Sequence, residues 1–127
     1  MNELMCDDRG VFFDYDFDKK EISGLFSAAS FFPLTFRLAT KEQAEKTVSY
    51  LSKIETEYGI AGCENKDTNM LLQWDYPNGW ACLHYMVIKG LLNYGYKKDA
   101  ERIAQNTLSL LKTTLKKPVI YGKSIML

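Results

Sequence analysis

Two stretches of this chain repeat one pattern, and the pattern constrains the fold class. Residues 29–58 and 78–117 each open with a run that is apolar on most sides and continue with a helix apolar on one stripe only. In the first stretch a helix is predicted from about Ala29 or Pro33 to Ala39. Thr40-Lys41-Glu42-Gln43 then reads as a capping box, a hydroxyl at the cap with an amide three residues on. The helix it opens is predicted to reach about Tyr58, with Ala44, Val48, Leu51, Ile54 and Tyr58 on its packed face and Gly59 as its stop. In the second stretch a helix over about 78–94 carries Trp80, Ala81, Leu83, Met86, Val87, Ile88, Leu91 and Leu92. Gly90 in its interior costs about 1 kcal/mol against alanine and predicts close helix packing. A last helix from Lys97 to about Lys117 shows one stripe of Ala100, Ile103, Ala104, Thr107, Leu111 and Leu115. A helix apolar all round is buried, and a striped one lies outside it. The expectation is an all-α chain of antiparallel helical hairpins, an inner ring wrapped by an outer one.

Ahead of these hairpins, Val11-Phe12-Phe13-Asp14-Tyr15-Asp16-Phe17 alternates aromatic and acidic residues, which predicts a short extended segment near residues 11–17. Asp14 and Asp16 share a face at that spacing. They read as groups that satisfy a turn or face solvent, with a place on the rim of a ligand site as the alternative. Lys plus Arg and Asp plus Glu balance at 16 each, so charge supplies no reason to bind nucleic acid or an anionic membrane. Cys6, Cys63 and Cys82 are widely spaced and form no metal pattern, so neither a metal nor a cofactor is expected. No apolar run approaches the ~20 residues that span a bilayer. The acidic start after Met1 lacks the apolar core of a leader, so the expected location is cytoplasmic, with a periplasmic or secreted parent as the alternative.

The densest chemistry lies in Gln73-Trp74-Asp75-Tyr76-Pro77-Asn78-Gly79-Trp80-Ala81, directly before the second apolar helix. Indole faces pack on pyranose rings, and Asp and Asn side chains share hydrogen bonds with sugar hydroxyls. Pro77 suits a helix start, and Gly79 allows a tight turn or a close approach to a ligand. Trp74, Asp75, Asn78 and Trp80 are therefore the candidate substrate-binding residues, for a sugar. The plain alternative is an aromatic loop on a core helix with no ligand. His84, near the start of that helix, reads as a hydrogen-bonded core or rim residue rather than a general base.

The run closely resembles the second signature of the α,α-trehalase family, Q-W-D-x-P-x-[GAV]-W-[PAS]-P. Gln73, Trp74, Asp75, Pro77, Gly79, Trp80 and Ala81 match it. Cys82 stands where the family has proline, and His84 where many members carry glutamine. The resemblance extends upstream through Gly10, Asp14, Tyr15 and Asp16 of a G-x-x-x-D-Y-D segment and through the S-A-A-x-x-x-P-L run at Ser27 to Leu34. It implies part of an (α/α)6 toroid, residues 1–127 forming a single incomplete trehalase-like domain from late in the barrel. It also implies a disaccharide or glucose-like ligand, and a parent that hydrolyses α,α-trehalose to two glucoses with inversion and without a metal. Such chemistry needs two carboxyls ~6.5–9.5 Å apart. The family's acid and base match no residue of this chain, so no catalytic residue is assigned and the chain is expected to be inactive alone. The tail Pro118–Leu127 departs from the family's E-K-Y run, and the expectation is a one-base deletion that shifts the frame. Two other readings stand beside the glycosidase one: a non-catalytic helical sugar-binding or interaction module, and a piece completed by another chain. Open inner-helix surface over residues 80–92 predicts a homo-oligomer.

Overall fold

The computed structural model describes residues 4–66, 74 and 76–116. The order is β1 (Tyr15–Asp16), β2 (Glu21–Ile22), a 3-10 turn over Ala28–Phe31, α1 (Phe32–Thr35), α2 (Lys41–Ser49), a 3-10 turn over Leu51–Lys53, β3 (Glu55–Thr56), β4 (Gly59–Ile60), α3 (Ala81–Asn93) and α4 (Lys97–Leu115). β1 and β2 form one antiparallel hairpin and β3 and β4 another, with Glu55 opposite Ile60. The architecture is the expected helical one, with two small hairpins set into its connections.

α3 is the shared partner of α1 and α4. Gly90 lets α1 close in: a Cβ there would stand 3.1 Å from the Leu34 Cβ and 3.2 Å from the Phe31 carbonyl oxygen. Polar ties complete this contact. The Thr35 hydroxyl donates to the Met86 carbonyl at 2.8 Å, and the Asn93 amide donates to the Leu34 and Thr35 carbonyls at 3.2 and 2.8 Å. Those two carbonyls lie at the end of a four-residue helix, where intrahelical donors run out, and Leu34 also receives the Arg37 N–H at 3.2 Å. The core gathers Phe26, Phe31, Leu34, Ile54, Ile60, Val87, Leu91 and Ile103, all fully buried. Phe13, Phe26 and Phe31 meet edge to face, at centroid separations of 6.0 and 6.1 Å, the arrangement favoured by ring quadrupoles.

The capping box at α2 forms as expected, with Thr40 Oγ1 accepting from the Gln43 N–H and the Gln43 amide oxygen accepting from the Thr40 N–H. α2 stops at Ser49, however, and not near Tyr58. The chain tightens into the 3-10 turn that keeps Leu51 and Ile54 buried, then reverses through β3 and β4 at Gly59, whose φ of +118° favours glycine. The segment expected as a helix up to Ala39 is likewise shorter, a 3-10 turn followed by α1. α3 begins at Ala81, so Pro77 precedes the helix instead of opening it. α3 is also less enclosed than expected, with Tyr85 and Leu92 exposed.

Asp14 and Asp16 belong to the first hairpin. Asp16 Oδ1 accepts from the Asp18 and Lys19 N–H groups at 3.0 Å each, the turn-satisfying role expected of it. Among the described residues, no helix is long and apolar enough to cross a membrane.

Candidate functional site

The aromatic loop rests on a ladder of three chain segments. The Phe26 N–H donates to the Glu64 carboxylate at 2.7 Å, and the Glu64 N–H returns to the Phe26 carbonyl at 2.8 Å. The Ala28 N–H donates to the Gly62 carbonyl at 2.9 Å, and the Gly62 N–H donates to the Asn78 carbonyl at 2.8 Å. Gly62 has to be glycine for the loop to lie this close, since a Cβ there would come within 2.3 Å of the Trp74 carbonyl oxygen. Glu64 braces the ladder from the side, its second oxygen 3.1 Å from Lys53 Nζ. Burial pushes the Glu64 carboxyl up, but the Phe26 N–H and the Lys53 ammonium outweigh it and hold the group below the usual carboxylate range.

On this ladder Trp74 and Trp80 stack, with ring centroids 4.3 Å apart and planes 21° from parallel. Trp74 is the outer ring, 52% exposed. The Trp80 Nε1 is buried with no hydrogen-bond partner. The two indoles thus form one platform. Asn78 lies between them in sequence, its carbonyl bound to Gly62. Asp75 and Gln73 lie outside the described residues.

Between the aromatic loop and the β3–β4 hairpin is a cavity of about 530 Å³, lined by Glu55, Glu57, Tyr58, Tyr76, Gly79 and His84 among others but by neither indole. Its size falls within the range of small-ligand pockets. Tyr76, Pro77 and Gly79 come from the aromatic loop, and the rest of the wall comes from the β3–β4 hairpin and the first turn of α3. Glu57 beside Tyr58 holds the phenol above its ordinary range. Glu55 is already engaged: Arg102 of α4 binds both its oxygens, at 2.7 and 2.9 Å, and also meets Asp99 at 2.8 Å. A carboxylate held in that fork is a tether, not a free acid or base. Sequence reasoning placed Glu55 and Tyr58 on a long helix and so missed them; the alternation of Thr56, Tyr58 and Ile60 around Gly59 was the available signal.

His84 is 7% exposed and joins the two halves of this wall. Its Nε2 accepts the Ile60 N–H at 2.9 Å, and its Nδ1 stands 2.8 Å from the Trp80 carbonyl oxygen. Both ring nitrogens are used, which agrees with the expectation of a hydrogen-bonded core or rim residue. Among the described residues no group of three or more His, Cys, Asp or Glu side chains could hold a metal.

The family model described as trehalase matches residues 1–123. The chain is 38% identical over 112 residues to the cytosolic neutral trehalase of Saccharomyces cerevisiae, an alignment covering 83% of this chain and 15% of that protein. The structure of neutral trehalase Nth1 from the same yeast superposes with a TM-score of 0.83 at 36% identity, covering 90% of this chain and 22% of that one. The chain therefore spans between about a seventh and a quarter of the length of these relatives.

Proposed function

This chain belongs to the trehalase family of glycoside hydrolases, and from that premise we propose that it carries part of the sugar-contacting wall of a trehalase-type site without the acid and base. The ligand is trehalose or a glucose unit of it. Trp74 offers the open indole face to a pyranose ring, Trp80 backs it, and Asp75 and Asn78 take the hydroxyls. The observation that carries this reading is the stacked indole pair of the family signature loop, the same loop that gives Tyr76, Pro77 and Gly79 to the wall of a cavity of about 530 Å³. A partly exposed aromatic platform next to polar side chains suits a ligand with apolar ring faces and a polar rim.

Inverting hydrolysis would need one protonated carboxyl and one that activates water on opposite sides of the bond. Glu55 is held by Arg102, and Glu64 by Lys53 and the Phe26 N–H, so neither is free for the task. We accordingly propose that the 127-residue chain alone releases no glucose from trehalose. Measured glucose release, with a full-length trehalase as positive control, tests this. Robust release abolished by Asp75→Ala would mean that a working pair exists within the chain.

A second reading concerns assembly. Tyr85 and Leu92 stand one above the other on α3, 65% and 49% exposed. Such a face favours a second copy of the chain, and the proposal is a homo-oligomer that buries it. The yeast relative is a cytosolic trehalase, which supports a cytosolic location for this chain as well.

A further inference from the structure

We propose that His84 is a positioning residue for the indole platform, a neutral two-sided clamp that fixes Trp80 against the β3–β4 hairpin. The inference rests on the sugar-site reading above and names the residue that sets the geometry of that site.

The hydrogen bonds determine the tautomer. The Ile60 N–H can only donate, so Nε2 must carry a lone pair; the Trp80 carbonyl can only accept, so Nδ1 must carry the proton. The Ile60 N–H depends on the ring. Ile60 is 1% exposed, so its N–H has no recourse to water. Trp80 is the N-cap of α3 yet provides no side-chain cap, and its carbonyl receives two donors from the same residue, the His84 N–H at 3.1 Å and the imidazole Nδ1–H at 2.8 Å. The ring therefore holds the residue at which the loop turns into the helix.

The imidazole also occupies a slot that two glycines leave open. A Cβ at Gly59 would lie 2.4 Å from Nε2, and one at Gly79 would lie 2.9 Å from the ring Cε1 and 2.7 Å from the Ile60 carbonyl oxygen. The third side is α4, where Thr107 Oγ1 would stand 2.5 Å from that same Gly59 Cβ. The hairpin and the aromatic loop thus each lack a side chain where the ring enters. With no ring nitrogen left over, His84 cannot serve as a general base while the clamp is closed. What it controls is the separation between Ile60 and Trp80, and through Trp80 the stack with Trp74.

Two substitutions test this. His84→Gln keeps an amide N–H for the Trp80 carbonyl and an amide oxygen for the Ile60 N–H. His84→Phe fills the slot and offers neither. Trp74 and Trp80 are the only tryptophans in the chain, so the exciton couplet in circular dichroism reports their stacking alone. The expected result is a couplet preserved in the wild type and in His84→Gln. In His84→Phe it is reduced by half or more, by rough expectation, and Ile60 amide exchange is faster by about ten-fold or more. A His84→Phe chain with the wild-type couplet and wild-type Ile60 protection overturns the proposal. So does a His84→Gln chain that loses both, or an imidazole nitrogen-15 spectrum of the wild type showing Nε2 protonated, which needs no variant to fold. A wild type with an intact couplet that fails to bind trehalose would count against the sugar reading and leave the clamp standing.

Discussion

At the scale of the residue, Glu64 shows how one carboxylate ties a site together and what it does to stability with pH. One oxygen accepts from the Phe26 N–H and the other meets Lys53, and the side chain is only 15% exposed. Its folded pKa is depressed, so between the ordinary carboxylate value and the folded one the unfolded chain binds more protons than the native chain. The stability it contributes is complete above the ordinary range and is lost as the pH falls through the depressed value. Asp7 acts with the same sign: burial raises its pKa, and the Val11 and Arg9 N–H groups and the Arg9 guanidinium more than offset that. Glu64→Gln keeps an acceptor for Phe26 but drops the charge. Urea unfolding should show it about 1 kcal/mol less stable at neutral pH, with the difference closing in acid. An unchanged acid limb would mean that the ladder does not depend on the ionised form.

At the scale of the element, the signals that proved legible were local. The Thr40 box marks the start of α2 because its two reciprocal bonds join Thr40 and Gln43, three residues apart in sequence. The stripe Ala100–Ile103 and the Gly95 break place α4 within two residues at either end. What failed was the length of α2. Leu51 and Ile54 fit a helical spacing and are indeed buried, but a 3-10 turn buries the same pair, so periodicity could not separate the two. The start of α3 was displaced for a related reason. Pro77 is a good first helical residue, yet Asn78 is drawn into a bond with Gly62 and Trp80 remains extended at φ −127° and ψ 132°. The aromatic loop itself was legible from composition and from its resemblance to a family signature. Its supports were less so, because Gly62 and Ile60 reach it across the fold, and only the alternation around Gly59 marks the hairpin that carries Ile60. Only the family resemblance located this loop within a larger toroid; residue chemistry alone indicated a sugar site of unspecified identity.

At the scale of the whole molecule, the helices are unequal. α4 has 19 residues and spans about 28 Å, while α3 has 13 and spans about 20 Å. Ala100 and Ile103 are buried where the two overlap, but Leu108, Leu111 and Leu115 on the outer half of α4 are exposed, the last at 77%. With Tyr85 and Leu92 this leaves two apolar stripes on neighbouring helices. Isolated exposed leucines are ordinary; aligned ones favour association. Light scattering at working concentration should therefore report a dimer or larger species, and Tyr85→Lys with Leu92→Lys should shift it toward monomer. A clean wild-type monomer would remove the oligomer from the account. The central claim, that the signature loop still presents a sugar-contacting platform in this chain, is tested most directly by titrating trehalose while recording tryptophan fluorescence. Every tryptophan in the chain belongs to that platform. The account predicts a saturable change in emission that is lost in Trp74→Phe. Emission that is unaltered by trehalose, with the stacked pair intact, would contradict it.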